Sequence, residues 1–168
     1  LAAAFYGEPS AGLGCIGITG TNGKTTTNWI IYHILNSVGS GCQRIGTLGS
    51  ECMGRSTESG SLTSPDPIST QRLLAEARSL GARYSVLETS SHALDQSRVE
   101  DVQFDVGVFT NLTRDHLDYH KTMERYFEAK RHLFELLARG PKMTRGAVIN
   151  GDDEYGRRLI DRKSTRLN

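Results

Sequence analysis

The sequence predicts an α/β fold: a mainly parallel sheet with helices on both faces. Three observations point there. Residues 14 to 19, Gly-Cys-Ile-Gly-Ile-Thr, form a short apolar run that leads into a glycine-rich turn and then a helical pattern. Strand-like and helix-like stretches then alternate along the chain. The polar motifs GTNGKTTT, ETSSH and TNLTRDH each follow a strand-like run. In an open parallel sheet, ligands gather at the carboxyl ends of the strands.

Each element follows in order. The first strand, residues 14 to 19, is apolar on both sides, as a strand covered on both faces must be. A helix starts near Lys24, with Ile30, Ile31, Ile34 and Val38 as its apolar face and Gly39 as its stop. Residues 42 to 48 and 51 to 57 read as two short strands. Asp66-Pro67 opens the next helix: the Asp side chain can accept from free N–H groups, and Pro suits the first helical position. Leu73, Leu74, Ala77 and Leu80 form its face, and Gly81 closes it. Residues 84 to 87 and 106 to 109 are two further strands. Thr122 caps a helix running to about Ala138, and residues 145 to 150 make the last strand.

Length and composition narrow the function. A chain of 168 residues suits one domain with a sizeable core. A net charge of +1 gives no strong field toward nucleic acid or a membrane surface. No apolar stretch is long enough to span a bilayer, and LAAAFYGEPS lacks the basic flank of a signal peptide. Cys15, Cys42 and Cys52 show no C-x-x-C spacing and read as free thiols in a reducing cytosol, not as a zinc site or disulfide framework. Both ends look cut. Residues 1 to 13 read as a linker and 14 to 160 as a domain incomplete at its C-terminus. Residues 161 to 168, DRKSTRLN, are polar, basic and aperiodic, with no reason to fold; they are either a linker or foreign to the native protein.

Between the first strand and its helix lies Gly20-Thr21-Asn22-Gly23-Lys24-Thr25-Thr26. Glycines let the backbone curl so that its N–H groups face phosphate oxygens, and the helix N-terminus adds positive potential. Lys24 would reach the terminal phosphates and the Thr25 hydroxyl would ligate Mg²⁺, which makes this a P-loop. The strict pattern G-x-x-x-x-G-K-S/T departs at its first position, where Ile18 stands. The plain alternative is a glycine-rich turn that only connects strand to helix.

The loop GITGTNGKTTT resembles the form found in the Mur ligase family, in which an apolar residue commonly replaces the first glycine. LTSPDP, LETSSHALDQSRV and FTNLTRDHLDYHKTMERYFEAKRHLF resemble further segments of that family, in the branch that adds the third amino acid to the peptidoglycan precursor. The similarity runs from FYGEPS to NGDDEYGRRL. Ser64 departs from a usual threonine, and Thr89 stands where valine is more common.

The resemblance implies the central ATP-binding domain of a bacterial, cytoplasmic amide ligase. Its N- and C-terminal domains are missing here, so the piece alone should be inactive. It implies ATP and Mg²⁺ as cofactors. The partners it implies are UDP-N-acetylmuramoyl-L-alanyl-D-glutamate and a diamino acid, either meso-diaminopimelate or L-lysine. It assigns Glu88 and His116 to a second Mg²⁺, beside the one held by Thr25. It assigns Thr63, Ser64, Ser90, Gln96 and Arg98 to the nucleotide-peptide substrate, and Asn150 and Asp152 to the neighbourhood of the adenine.

The residues themselves leave alternatives open. Glu88 can be a salt-bridged carboxylate at a sheet edge, and a lone His116 is more often structural than a ligand. Thr63 and Ser64 suit ordinary turn chemistry before the Asp66 cap, and Asn150-Gly-Asp-Asp suits a surface turn. Ser90 and Ser91 beside His92 raise a hydrolase reading, but no G-x-S-x-G elbow surrounds either serine. Lys130 falls among Met123, Tyr126, Phe127, Leu133, Phe134 and Leu137, at the centre of a buried stripe. It is either a stem that snorkels outward or a lysine tuned by burial. The resemblance assigns it a carbamylated, metal-binding role. Two rival functions stand beside the ligase: another member of the superfamily, such as a folylpolyglutamate synthetase, and an NTPase module without ligase chemistry.

Overall fold

The computed structural model describes residues 1–58 and 62–164. A short helix α1 (Ala2–Phe5) and a 3₁₀ turn (Pro9–Gly12) precede β1 (Gly14–Thr19). The chain continues through α2 (Lys24–Ser37), β2 (Cys42–Gly46), β3 (Gly49–Cys52), β4 (Arg55–Thr57), α3 (Pro67–Ser79) and β5 (Tyr84–Glu88). It then runs through α4 (Ser91–Asp95), β6 (Val106–Phe109), α5 (Leu117–His120), α6 (Met123–Arg139), β7 (Gly146–Ile149) and α7 (Glu154–Ser164).

One sheet holds all seven of these strands, in the order β4-β3-β2-β5-β1-β6-β7. Strands β2, β5, β1, β6 and β7 are mutually parallel, and β3 and β4 extend the β2 edge as an antiparallel hairpin. From β1 the chain crosses to one side to build β2 and β5, then to the other to build β6 and β7. The carboxyl end of β1 therefore lies at the switch of direction, with the loops after β5 and β6 flanking it. That is where an open α/β sheet forms its crevice.

A core lies on each face. Leu74, Phe104, Phe127 and Leu133 belong to the larger one, and Ile18, Tyr32, Cys42, Val86 and Val108 to the smaller one under α2. Asp66 caps α3 as expected, accepting from the N–H groups of Ile68 and Ser69. Thr122 caps α6, accepting from Arg125 N–H. All three cysteines are buried free thiols.

Four expectations need correction. The first is the face of α2: Ile30, Ile34 and Val38 are 54, 57 and 69 % exposed, whereas Asn28 and Tyr32 are buried, with Trp29, Ile31 and Leu35 packed beside them. The Asn28 amide explains the rotation, because it donates to the carbonyls of Ile45 at 3.0 Å and Val86 at 3.3 Å. Trp29 meanwhile stacks on the Arg44 guanidinium at 4.0 Å. Aliphatic periodicity cannot see an amide that bridges two strands.

Second, the stretch read as one strand over 51 to 57 is broken by a turn at Met53-Gly54, both at positive φ, so it contributes to both β3 and β4. Third, residues 1 to 13 are not a bare linker: Ala3 and Ser10 are buried, and Ser10 Oγ accepts from Gln103 N–H. Fourth, α7 crosses residue 160 and continues to Ser164, despite a composition that gave no reason to fold. The side chain of Asp153 starts it, accepting from the N–H groups of Tyr155 and Gly156. The rest of the expected tail, 165 to 168, lies outside the described residues.

Candidate active site

The loop after β1 is shaped by its neighbour after β6. Gly20 has φ 148°, and a Cβ there would lie 1.8 Å from Thr110 Oγ1, so only glycine passes this point. Thr21 N–H donates to the Asn111 carbonyl at 2.9 Å, and Asn22 N–H donates to Asn111 Oδ1 at 3.0 Å. Asn111 Nδ2 and Thr110 Oγ1 in turn donate to the Asn22 carbonyl. Gly23, at φ 84°, is the N-cap of α2 and turns the chain into the helix that begins with Lys24, Thr25 and Thr26. Lys24 Nζ reaches back to the carbonyls of Gly20 and Thr21, both at 2.9 Å. Burial pushes its pKa below the ordinary lysine value, against the pull of Glu88 and Asp115. The result is a tight glycine turn with a lysine folded over it at a helix N-terminus, an arrangement that suits a polyphosphate.

Glu88 ends β5 and is 3 % exposed. Its carboxylate accepts from Thr25 Oγ1 at 3.0 Å, from Thr47 Oγ1 at 3.0 Å and from Thr47 N–H at 3.2 Å. Gly46 leaves the space: a Cβ there would stand 2.1 Å from Glu88 Oε1. Thr25 and Glu88 are hard oxygen donors brought into contact beside the phosphate loop. Among the described residues no three His, Cys, Asp or Glu side chains gather as a metal cage. An ion at Thr25 and Glu88 would complete its shell with phosphate oxygens and water, as Mg²⁺ does. The residues present therefore fit Mg-nucleotide.

His116 takes a left-handed conformation, φ 50°, at the start of α5. Its Nε2 lies 3.5 Å from Asp115 Oδ2, and its ring meets His92 edge-on at 4.9 Å between centroids. It is half exposed and points into a cluster of rings, His92, Tyr119, His120 and Tyr126. The contacts of Glu88 run to Thr25 and Thr47, those of His116 to this cluster; the expected pairing of the two is not one of direct contact.

The residues expected to hold the nucleotide-peptide converge. Ser64 Oγ donates to the Glu88 carbonyl at 2.8 Å and accepts from Ser90 N–H at 3.0 Å. Ser90 caps α4. Thr63 Oγ1 lies 3.3 Å from Thr47 Oγ1. Arg98 donates to the Ser64 carbonyl at 3.3 Å and to Gln96 Oε1. Gln96 Nε2 donates to Tyr119 at 3.2 Å. Thr89 explains its own departure from valine: its buried hydroxyl donates to the Ile18 carbonyl at 3.0 Å. Ser91 meets His120 Nε2 at 3.0 Å, but the serine is 1 % exposed, so the pair ties α4 to α5 and presents no nucleophile. Asn150 Nδ2 donates to the Thr110 carbonyl at 2.9 Å, and Asn150 Oδ1 accepts from Asp152 N–H, so both lie at the end of β7 beside the loop after β6.

Lys130 does not snorkel. It is 1 % exposed, its Nζ donates to the Gly20 carbonyl at 2.7 Å, and it sits 4.5 Å over the Tyr126 ring. Burial, then the charge of Lys24, push its pKa well below the ordinary lysine value, against Asp115. Tyr126 completes the contact, its hydroxyl 3.2 Å from Thr21 Oγ1. Sequence reasoning passed over Thr47, Gly46 and Asn111, and read Tyr126 only as part of the apolar stripe. Asn111 lay inside a motif already marked; Thr47 and Gly46 lay in a short stretch with no periodic signal.

Known proteins resemble this chain in sequence and fold. The model of the Mur ligase middle domain matches residues 18–167. A UDP-N-acetylmuramoyl-L-alanyl-D-glutamate–2,6-diaminopimelate ligase from Geobacter metallireducens is 51% identical over 160 residues, covering 94% of this chain and 31% of the relative. The ligase of the same name from Pseudomonas aeruginosa is 50% identical over 159 residues, 95% of this chain and 31% of its own length. A solved structure of a ligase of that name aligns with TM-score 0.79 at 37% identity, covering 93% of this chain and 30% of that one. A folylpolyglutamate synthase from Mycobacterium tuberculosis, complexed with ADP and AMPPCP, shares the fold at TM-score 0.73 and 15% identity, covering 98% of this chain and 43% of that one. The chain thus spans about a third of the length of the curated relatives it matches.

Proposed function

The chain belongs to the Mur ligase middle-domain family, and from that premise we propose that it is the ATP-binding central domain of an amide ligase acting in peptidoglycan precursor synthesis in the bacterial cytoplasm. The whole enzyme joins 2,6-diaminopimelate to UDP-N-acetylmuramoyl-L-alanyl-D-glutamate; that choice of diamino acid follows the printed names of the similar ligases. The observation that supports the reading best is Glu88. Its carboxylate holds Thr25 of the phosphate loop, and its carbonyl holds Ser64 of the acceptor-side cluster. One residue therefore joins the nucleotide site to the site of the group to be activated.

A glutamyl carboxylate oxygen of the acceptor attacks the terminal phosphorus of ATP, and the bond to the leaving ADP breaks. The amine of the incoming diamino acid then attacks the acyl carbon, and phosphate departs. The domain's part is positioning and charge neutralisation. The loop from Gly20 to Thr26 cradles the phosphates, with Lys24 on the transferred group and Asn150 toward the base. Thr25, with Glu88 beside it, would hold one Mg²⁺, which would supply charge neutralisation. A second Mg²⁺ would fall to Glu88, His116 and Lys130, the lysine as its carbamate. Thr63, Ser64, Ser90, Gln96 and Arg98 orient the acceptor, Arg98 through paired bonds to an anion. Positioning two substrates supplies much of the rate in such a reaction.

The test is dependence on the acceptor. In the full-length enzyme, ADP release should require UDP-N-acetylmuramoyl-L-alanyl-D-glutamate, and mass spectrometry should find the product extended by one diaminopimelate. ADP release that ignores the acceptor would identify an NTPase instead.

A further inference from the structure

Thr47 follows Gly46 at the end of β2 and carries no catalytic motif of its own. Yet it makes more contacts to the Glu88 carboxylate than Thr25 does: its N–H meets Oε1 at 3.2 Å and its hydroxyl meets Oε2 at 3.0 Å. Each carboxylate oxygen is thereby assigned a donor from one residue, which fixes both the rotation and the reach of the side chain. The same hydroxyl lies 3.3 Å from Thr63 Oγ1.

A hydroxyl has one proton to give. The Thr47 hydroxyl stands in donor geometry both to Glu88 Oε2 and to Thr63 Oγ1, so the two acceptors share one donor. Thr63 accepts in that contact and keeps its own proton.

From this we infer that Thr47 is the positioning residue that aims Glu88 at the metal and, by donating to Thr63 as well, ties the acceptor site to that carboxylate. The inference rests on the ligase reading above. It makes two sites depend on one hydroxyl. Removing that hydroxyl loosens a charge-assisted bond to Glu88 and takes a donor from Thr63 at the same time.

The experiment uses the full-length enzyme with Thr47→Val, Thr47→Ser and Lys24→Ala, each checked for an unchanged melting temperature. Mn²⁺ binding in the presence of ADP is read by electron paramagnetic resonance, and KM for the UDP-dipeptide is read separately from kcat. Thr47→Val should weaken Mn²⁺ binding about tenfold or more and raise KM for the UDP-dipeptide, because a hydrogen bond to a charged group is lost. Thr47→Ser, which keeps the hydroxyl, should stay within about twofold of the unmodified enzyme on both. If the valine variant unfolds, Thr47→Ala replaces it with the same expectation. Wild-type Mn²⁺ binding and KM in Thr47→Val, beside nucleotide binding lost in Lys24→Ala, would overturn the positioning role alone. Nucleotide binding intact in Lys24→Ala would overturn the ligase reading and this inference with it.

Discussion

Gly46 and Glu88 face each other across neighbouring strands so closely that a methyl group on Gly46 would stand 2.1 Å from the carboxylate Oε1. The glycine is a notch for the side chain. Gly46→Ala should displace the carboxylate from Thr25 and Thr47 without changing its chemistry. Overpacking of this kind costs about 1–3 kcal/mol. The Mg²⁺ concentration for half-maximal ADP release by the full-length enzyme should rise about tenfold, as a weakened charge-assisted contact requires. A folded variant with an unchanged Mg²⁺ requirement would take Glu88 out of the metal site.

Lys24 is bonded to the loop it serves, at the carbonyls of Gly20 and Thr21. Phosphate oxygens would exchange those neutral acceptors for charged ones. Lys24→Ala should therefore weaken Mg-ATP binding by roughly 1.5–3 kcal/mol, the worth of one charge-assisted hydrogen bond. Calorimetry on folded proteins decides it, and equal affinities would count against the phosphate assignment.

The parts of the site that were legible in the sequence share a property: their chemistry sits next to a periodic element. The phosphate loop is read from the strand before it and the helix after it, and Lys130 stands out because a charge interrupts an apolar stripe. The Asp66 and Thr122 caps are local chemistry between neighbours in sequence. What could not be read depends on pairs distant in sequence. Asn111 shapes the loop at Asn22 across 89 residues, and Thr47 reaches Glu88 across 41. The face of α2 was misread for the same reason, since the Asn28 amide answers to carbonyls on two strands not yet placed. Helix α7 escaped because its side of the argument is a cap, Asp153, followed by polar residues with few apolar ones to mark a face.

His132 on α6 bridges Glu100 at 2.9 Å and Glu135 at 3.0 Å. Burial lowers its pKa, but the hydrogen bonds and charges of the two carboxylates outweigh this and raise it overall. A group with a raised folded pKa stabilises fully below its unfolded value, near 6.5 for histidine, and loses that contribution as pH rises through the folded pKa. Both carboxylates are lowered, chiefly by His132 and the neighbouring arginines against burial, so their share is lost as pH falls through their folded values. The bridge should stabilise most near pH 5 to 6, roughly between the ordinary carboxylate and histidine ranges. His132→Gln should therefore cost about 0.5–1 kcal/mol there, a modest figure for a part-exposed network, and close to nothing at pH 9. Urea midpoints at the two pH values test it; an equal loss at both would assign the effect to packing.

Lys130 places an amine where a cation has little reason to stay. It is buried, Lys24 repels it, and among the described residues the Gly20 carbonyl and the Tyr126 ring face it directly as acceptors. With the pKa held well below the ordinary value, the neutral amine is more populated than in a free lysine. Its lone pair can attack CO₂; the nitrogen gives up a proton, and a carbamate results. The carbamate keeps one N–H, so the bond to Gly20 can survive while two new oxygens become available to Mg²⁺. A cation beside the phosphate loop is thereby exchanged for an anionic metal ligand. Lys130→Ala should abolish ligation in the full-length enzyme, and added short-chain carboxylates should partly restore it by supplying the missing oxygens. CO₂ depletion should slow the unmodified enzyme and leave the rescued variant unaffected, because its ligand no longer comes from CO₂. Full activity of the alanine variant without CO₂ or carboxylate would sink the carbamate role and return Lys130 to holding the loop at Gly20.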